Sequence, residues 1–166
     1  MVAIARFLKH LFLPGWWSHR RFPEACMARI EAAIAESERG HHGEICFAVE
    51  TTLDMASLLR GRLARERALE VFAEQRLWDT EANNGVLIYL LLADRDVEIV
   101  ADRGVAARVD QAEWQTICQR MESDFRAGAF EAGVLRGIAD IDAHLVRLYS
   151  RADRDVNELP NRPIRL

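Results

Sequence analysis

Apolar residues recur along this chain with two different periods. Ile4, Phe7, Leu8 and Leu11 keep the i, i+3, i+4, i+7 spacing of one helical face, with Arg6, Lys9 and His10 on the other side. Pro14-Gly15 ends that helix, and Trp16-Trp17 follow. A second helix is predicted from Phe22 to about Arg39, burying Phe22, Cys26, Ile30, Ala33 and Ile34. The period then changes. Glu44–Glu50 (EICFAVE) is short, β-branched and aromatic, and its nearly continuous apolar run suits a strand covered on both faces.

Helical spacing returns after Thr51-Thr52-Leu53-Asp54. One helix is predicted from there to about Trp78, with Asp54 as its N-cap and Gly61 inside it. The polar stretch Asp79–Asn84 leads into Gly85 and the apolar run Val86–Leu92, and a second strand, Val97–Ala101, follows. Only Ala93-Asp94-Arg95-Asp96 separates the two, which fixes an antiparallel hairpin. Two helices close the pattern. One is centred on Trp114, Ile117, Cys118, Met121 and Phe125; the other carries Val134, Ile138, Ile141, Leu145 and Leu148 as far as about Ser150. Doubly covered strands need helices on both faces. The expected fold is therefore α/β, a three-layer α/β/α sandwich with a small mixed sheet built from the hairpin 86–92/97–101 and the strand 44–50. The expected organisation is a basic amphipathic segment at 1–21, one folded domain at 22–150 and a C-terminal tail at 151–166 that holds Pro160 and Pro163 without an apolar period.

Charge divides the chain at the same place. The 166 residues carry 22 bases and 26 acids, a net −4, and Lys9 is the one lysine among those bases. Residues 1–21 contain Arg6, Lys9, Arg20 and Arg21 and no acid, so a head of +4 precedes a body of −8. Three readings of the head follow: a helix that docks on the domain, a segment (residues 2–17) that lies on an anionic membrane surface, or a contact for a partner chain. An acidic body with no extended basic patch argues against nucleic acid. No run approaches the ~20 apolar residues of a membrane span, and Arg6 and Lys9 interrupt what would be the core of a signal peptide. Cys26, Cys46 and Cys118 are odd in number and fit no metal or redox spacing, which points to buried thiols in a reducing compartment. The expected location is cytoplasmic, with the head as a means of reaching the inner face of the membrane.

The hairpin also defines a candidate site, because it places Asn83, Asn84 and Gly85 beside Asp102, Arg103 and Gly104. If Glu44–Glu50 runs parallel to Val97–Ala101, it brings Glu50, Thr51, Thr52 and Asp54 to the same rim, and Glu81 approaches from the preceding connector. Ligands of open α/β sheets bind beyond strand ends. Glu50, Asp54, Glu81, Asn83, Asn84 and Asp102 would then form a set of hard oxygen donors suited to calcium or magnesium rather than zinc. The plain alternative is that Asp, Asn and Gly stand there as turn formers. His41-His42 reads as a solvated turn at the opposite end of the first strand, and His144 as a packing or surface residue. No phosphate-loop, dinucleotide, serine-hydrolase or zinc-protease motif is present.

Asn83-Asn84-Gly85-Val86-Leu87-Ile88, Leu92–Ile99 and Ala101-Asp102-Arg103-Gly104-Val105 resemble the core signature of the TPM domain family, as does the Phe125–Gly133 turn. The resemblance spans about Phe22 to Tyr149. It implies an α/β/α sandwich, calcium at the strand-end rim in some members, and a weak acid phosphatase activity attributed to others. Two departures bear on the site. The family's usual Asp before Asn-Gly is Asn83 here, and the aromatic of the later turn is replaced by Asp102-Arg103. Family members typically carry a signal peptide and often a C-terminal membrane helix, and neither is visible in this sequence. The expected function is a non-enzymatic module that binds a protein partner, with a calcium-type site at the rim. The alternative is a divalent-metal phosphatase in which Asp102 or Asp54 works with the ion and Arg103 holds the phosphoryl oxygens.

Overall fold

The structure, a computed structural model, describes residues 2–150 and 158–166. The part of the expected tail at 151–157 lies outside the described residues. Among the described residues, eight helices and four strands follow in the order α1 (Val2–Phe12), α2 (Trp17–Arg21), α3 (Glu24–Ser37), β1 (Glu44–Glu50), α4 (Met55–Leu59), α5 (Ala64–Glu74), β2 (Gly85–Leu91), β3 (Asp96–Ala101), α6 (Arg103–Ala106), α7 (Gln111–Arg126), α8 (Phe130–Tyr149) and β4 (Ile164–Arg165).

The strands form one mixed sheet in the order β3-β2-β1-β4. Their side chains alternate between two cores, as period-2 geometry demands. Ile45, Phe47 and Val49 of β1, Val86, Ile88 and Leu90 of β2, and Val97 and Ile99 of β3 pack with α3, α7 and α8. Cys46, Ala48, Leu87, Tyr89, Leu91 and Val100 turn to the other face, where α5 supplies Ala64, Ala68, Val71 and Phe72. The molecule is an α/β/α sandwich, and the near-continuous apolar runs in the sequence are the signature of that double burial.

Four features differ from the sequence expectation. The long helix after Asp54 is two. Asp54 does cap α4, accepting Ser57 N–H at 3.0 Å, but the chain turns at Gly61 (φ 72°) and restarts at α5, where Glu66 accepts Leu63 N–H at 2.9 Å. The hairpin strands each begin one residue earlier than predicted. The last residues join the sheet: Ile164 and Arg165 pair in parallel with Ala48 and Val49.

The fourth difference moves the site. β1 runs parallel to β2, with Glu44 opposite Gly85 and Glu50 opposite Leu91, so it is antiparallel in direction to β3. The connection from β1 to β2 passes through helices, and such a crossover joins parallel neighbours. The end of β1 therefore lies at the hairpin's closed end, not at its open base.

Candidate functional site

The open base of the hairpin brings together four of the predicted residues. Asn83 has φ 51°, a left-handed conformation that Asn tolerates better than most residues. Its backbone carbonyl accepts Gly104 N–H at 3.0 Å, and its side-chain oxygen accepts Arg103 Nε at 2.7 Å. Asn84 is buried. Its backbone N–H donates to Thr80 Oγ1 at 3.1 Å and its amide Nδ2 to the His42 carbonyl at 2.6 Å. Asp102 is also buried and caps α6, its Oδ1 accepting Arg103 N–H at 2.7 Å while its own N–H donates to Gly85 O at 2.8 Å. Glu81 lies exposed on the preceding turn, with its backbone N–H donating to the Glu158 carboxylate at 3.1 Å.

These contacts leave two buried oxygens without a hydrogen-bond partner, Asn84 Oδ1 and Asp102 Oδ2. A third unpartnered atom, Tyr149 Oη at the end of α8, comes to the same base. A Cβ on Gly104 would stand 2.8 Å from it, and the backbone N–H of His42 donates to the Tyr149 carbonyl at 3.0 Å. Burial raises the Tyr149 phenol above its ordinary range; the Arg108 guanidinium, 5.2 Å from the ring, opposes that shift, and the Asp102 charge adds to it. Buried polar atoms rarely stay unsatisfied, so each of these three is an atom that water or a ligand can complete.

Sequence reasoning missed Tyr149, which ends an apolar-periodic helix and reads as core. It also missed two acids at this end. Glu44 is buried at the start of β1, and its carboxylate accepts the backbone N–H of Glu158 at 2.9 Å.

Glu50 and Asp54 are not part of this base. The direction of β1 carries them to the other end of the sheet, and both are occupied there. Glu50 accepts Tyr89 Oη at 2.7 Å and Arg67 Nε at 3.0 Å. Asp54 takes the Ser57 hydroxyl and N–H, and the hydroxyl bond holds its carboxyl below the usual range.

The same reversal brings His41-His42 to the base rather than away from it. His41 is a buried residue, not a solvated turn. Its Nδ1 accepts Gly43 N–H at 2.9 Å, and its Nε2 stands 3.0 Å from Ser37 Oγ and 3.3 Å from Asp142 Oδ1. Ser37 Oγ donates to Asp142 at 2.7 Å. Ser, His and Asp meet here as a part-buried staple between α3 and α8, with His41 its buried member. Burial holds the imidazole below its ordinary pKa against the pull of Asp142, and Nδ1 is already committed to the backbone. A catalytic triad needs the imidazole between the other two groups, with a carboxylate on the nitrogen away from the hydroxyl, and this set lacks that arrangement.

The donors at the hairpin base suit a hard cation. Asp102 supplies a carboxylate, Asn83 and Asn84 supply amide oxygens, and Tyr149 supplies a phenol. Among the described residues, no three His, Cys, Asp or Glu side chains gather closely enough to hold a metal ion. A calcium ion, which takes 6–8 oxygens, would therefore draw on amide and main-chain oxygens and water around one carboxylate. All three thiols are pushed up to about 12, chiefly by burial, so none is an activated nucleophile. Among the described residues, no helix is long and apolar enough to cross a membrane.

The sequence profile of the TPM domain matches residues 22–144. Among solved structures, the chain is similar to that of the BA42 protein from the psychrophilic bacterium Bizionia argentinensis. That match has a TM-score of 0.74 and 27% identity and covers 93% of this chain and 95% of the other. The chain also has the fold of the N-terminal domain of a P. gingivalis protein, with a TM-score of 0.60, 18% identity and coverage of 78% and 81%. No curated protein matches the chain.

Proposed function

The chain belongs to the TPM domain family, and from that premise we propose that it acts as a non-enzymatic binding module with a calcium-type site at the base of the β2–β3 hairpin. The observation that supports this most directly is the pair of buried, unpartnered oxygens, Asn84 Oδ1 and Asp102 Oδ2, beside Tyr149 Oη. Asn84 and Asp102 would hold the cation through their unpartnered oxygens, Asn83 would join them by exchanging Arg103 Nε for the ion, and the two predicted acids at the other end of the sheet would take no part. A bound cation would supply positive charge between the 82–84 turn and the start of α6. It would stiffen a surface on which a protein partner can bind. Asp102 already orients α6 through Oδ1, which leaves Oδ2 free to face the ion.

A phosphatase at the same base would need Arg103 to clamp the phosphoryl oxygens, and that guanidinium already donates Nε to Asn83 Oδ1. The two readings separate in a pair of measurements. Calcium titration followed by amide NMR is expected to shift Asn83, Asn84, Asp102 and Gly104 selectively, and Asp102→Asn to abolish those shifts. No shift at millimolar calcium would reject the site. Hydrolysis of a phosphate ester that needs calcium or magnesium and disappears in Asp102→Asn would replace the binding reading with the enzymatic one.

A further inference from the structure

A helix that only packs on its own domain turns its apolar face inward. α1 does the opposite. Arg6 Nε donates to Asp94 Oδ2 at 2.8 Å. His10, 5% exposed, accepts Leu53 N–H on Nδ1 at 3.0 Å and sets Nε2 3.2 Å from Asp94 Oδ1. These polar groups hold the helix to the body, with Phe7 and Leu13 half-buried on the same arc. The opposite arc carries Ile4 and Phe12, 66% and 74% exposed, with Leu8 and Leu11 between them. Trp16 extends that apolar surface beyond the helix. α4, which starts just after Leu53, adds the exposed Met55 and Leu59 at the same end of the sheet.

The charges that α1, α2 and the end of α4 set beside this face are basic, while Asp54, the exposed N-cap before Met55, is an acid at the same end. Lys9 borders the outward arc, His19 and Arg20 are exposed next to Trp16, and Arg60 is exposed at the end of α4. The Arg20 guanidinium lies 6.0 Å from the Trp16 ring centroid. Residues 1–21 contain no acid. A convex helix with an apolar stripe, a basic border and a flanking Trp matches a lipid interface better than a groove-lined protein contact. We propose that α1, held at its polar side by Arg6 and His10, seats the protein on the surface of an anionic bilayer. Ile4, Leu8, Leu11, Phe12 and Trp16 enter the interface, and Lys9 and Arg20 meet the headgroups.

The test is co-sedimentation of the full chain, without added calcium, with vesicles of phosphatidylcholine alone and of phosphatidylcholine with 30% phosphatidylglycerol. The proposal expects binding to the anionic vesicles at least tenfold stronger than to the neutral ones, weakened by 0.5 M salt. The pair Leu8→Gln/Phe12→Gln and the pair Lys9→Glu/Arg20→Glu should each lose binding by tenfold or more while keeping the wild-type circular dichroism and unfolding midpoint. A wild-type chain that stays in the supernatant, or variants that bind as well as wild type, would overturn it. So would self-association of the wild type in sedimentation velocity that Leu8→Gln/Phe12→Gln abolishes without any lipid binding, since the face would then join two copies of the chain.

Discussion

The carbonyl oxygen of Leu77 stands 2.1 Å from the position a Cβ on Gly85 would occupy. The turn after α5 and the first residue of β2 thus touch through bare backbone. Neither can move aside as a flexible side chain would. Gly85→Ala should destabilise the fold by about 3 kcal/mol, at the upper end of overpacking effects. It should also shift the amides of Asn84 and Asp102, which flank that contact. Urea unfolding and an amide spectrum check both.

Gly85 shows how much the sequence could tell. The glycine reads there as a turn signal ahead of an apolar run, and the hairpin follows because a four-residue link leaves no other way to join two strands. Those local constraints also bring Asn83, Asn84 and Asp102 together. Nothing local states the direction of β1, because a strand buried on both faces looks the same read either way. Its parallel pairing with β2 is set by the helical crossover, and that one direction decides whether Glu50 and Asp54 or His41 and His42 lie at the hairpin base. Tyr149 and Glu158 were beyond reach for a different reason: they arrive from distant elements through contacts that no spacing encodes. The split of the predicted long helix at Gly61 was signalled by the glycine itself, and the short pairing of Ile164-Arg165 was hidden by the prolines around it.

Glu38 makes stability depend on pH. Burial pushes its carboxyl from the usual 4.5 to about 8; the Ile45 N–H it accepts opposes that rise, and the nearby Glu44 charge adds to it. The folded state therefore holds this proton more tightly than the unfolded chain. The stabilisation is complete below about 4.5 and is lost as pH rises through about 8. Glu38→Gln keeps the oxygen that accepts from Ile45 and removes the titration. It should match wild type near pH 5 and exceed it by roughly 1–2 kcal/mol at pH 9, allowing for partial solvent screening. Urea midpoints at both pH values test this, and a pH-independent difference would count against it.

Arg6 and His10 both hold α1, but they should not matter equally. Arg6→Met removes a part-buried ion pair and leaves Asp94 with His10 beside it, and should cost about 1 kcal/mol. His10→Ala leaves the buried Leu53 N–H without its acceptor and should cost about 1–3 kcal/mol. Limited proteolysis of the Phe12–Trp16 connection should rank the variants in the same order.

Cys26, Cys46 and Cys118 are all pushed up to about 12, chiefly by burial. At pH 8 the native protein should react with an aromatic disulfide reagent at least roughly a hundredfold more slowly than the urea-unfolded chain, since the thiolate is the reacting form. A fast phase of one thiol per chain in the native protein would contradict this.

The direction of β1 also orients the whole particle. Asp94 and Leu53, which hold α1, lie at one end of the sheet, and Asn84 and Asp102 lie at the other. A seven-residue strand separates them by about 20 Å. A chain resting on lipid through α1 would keep its hairpin base at the end of the sheet remote from that contact, where a second, soluble molecule could meet it.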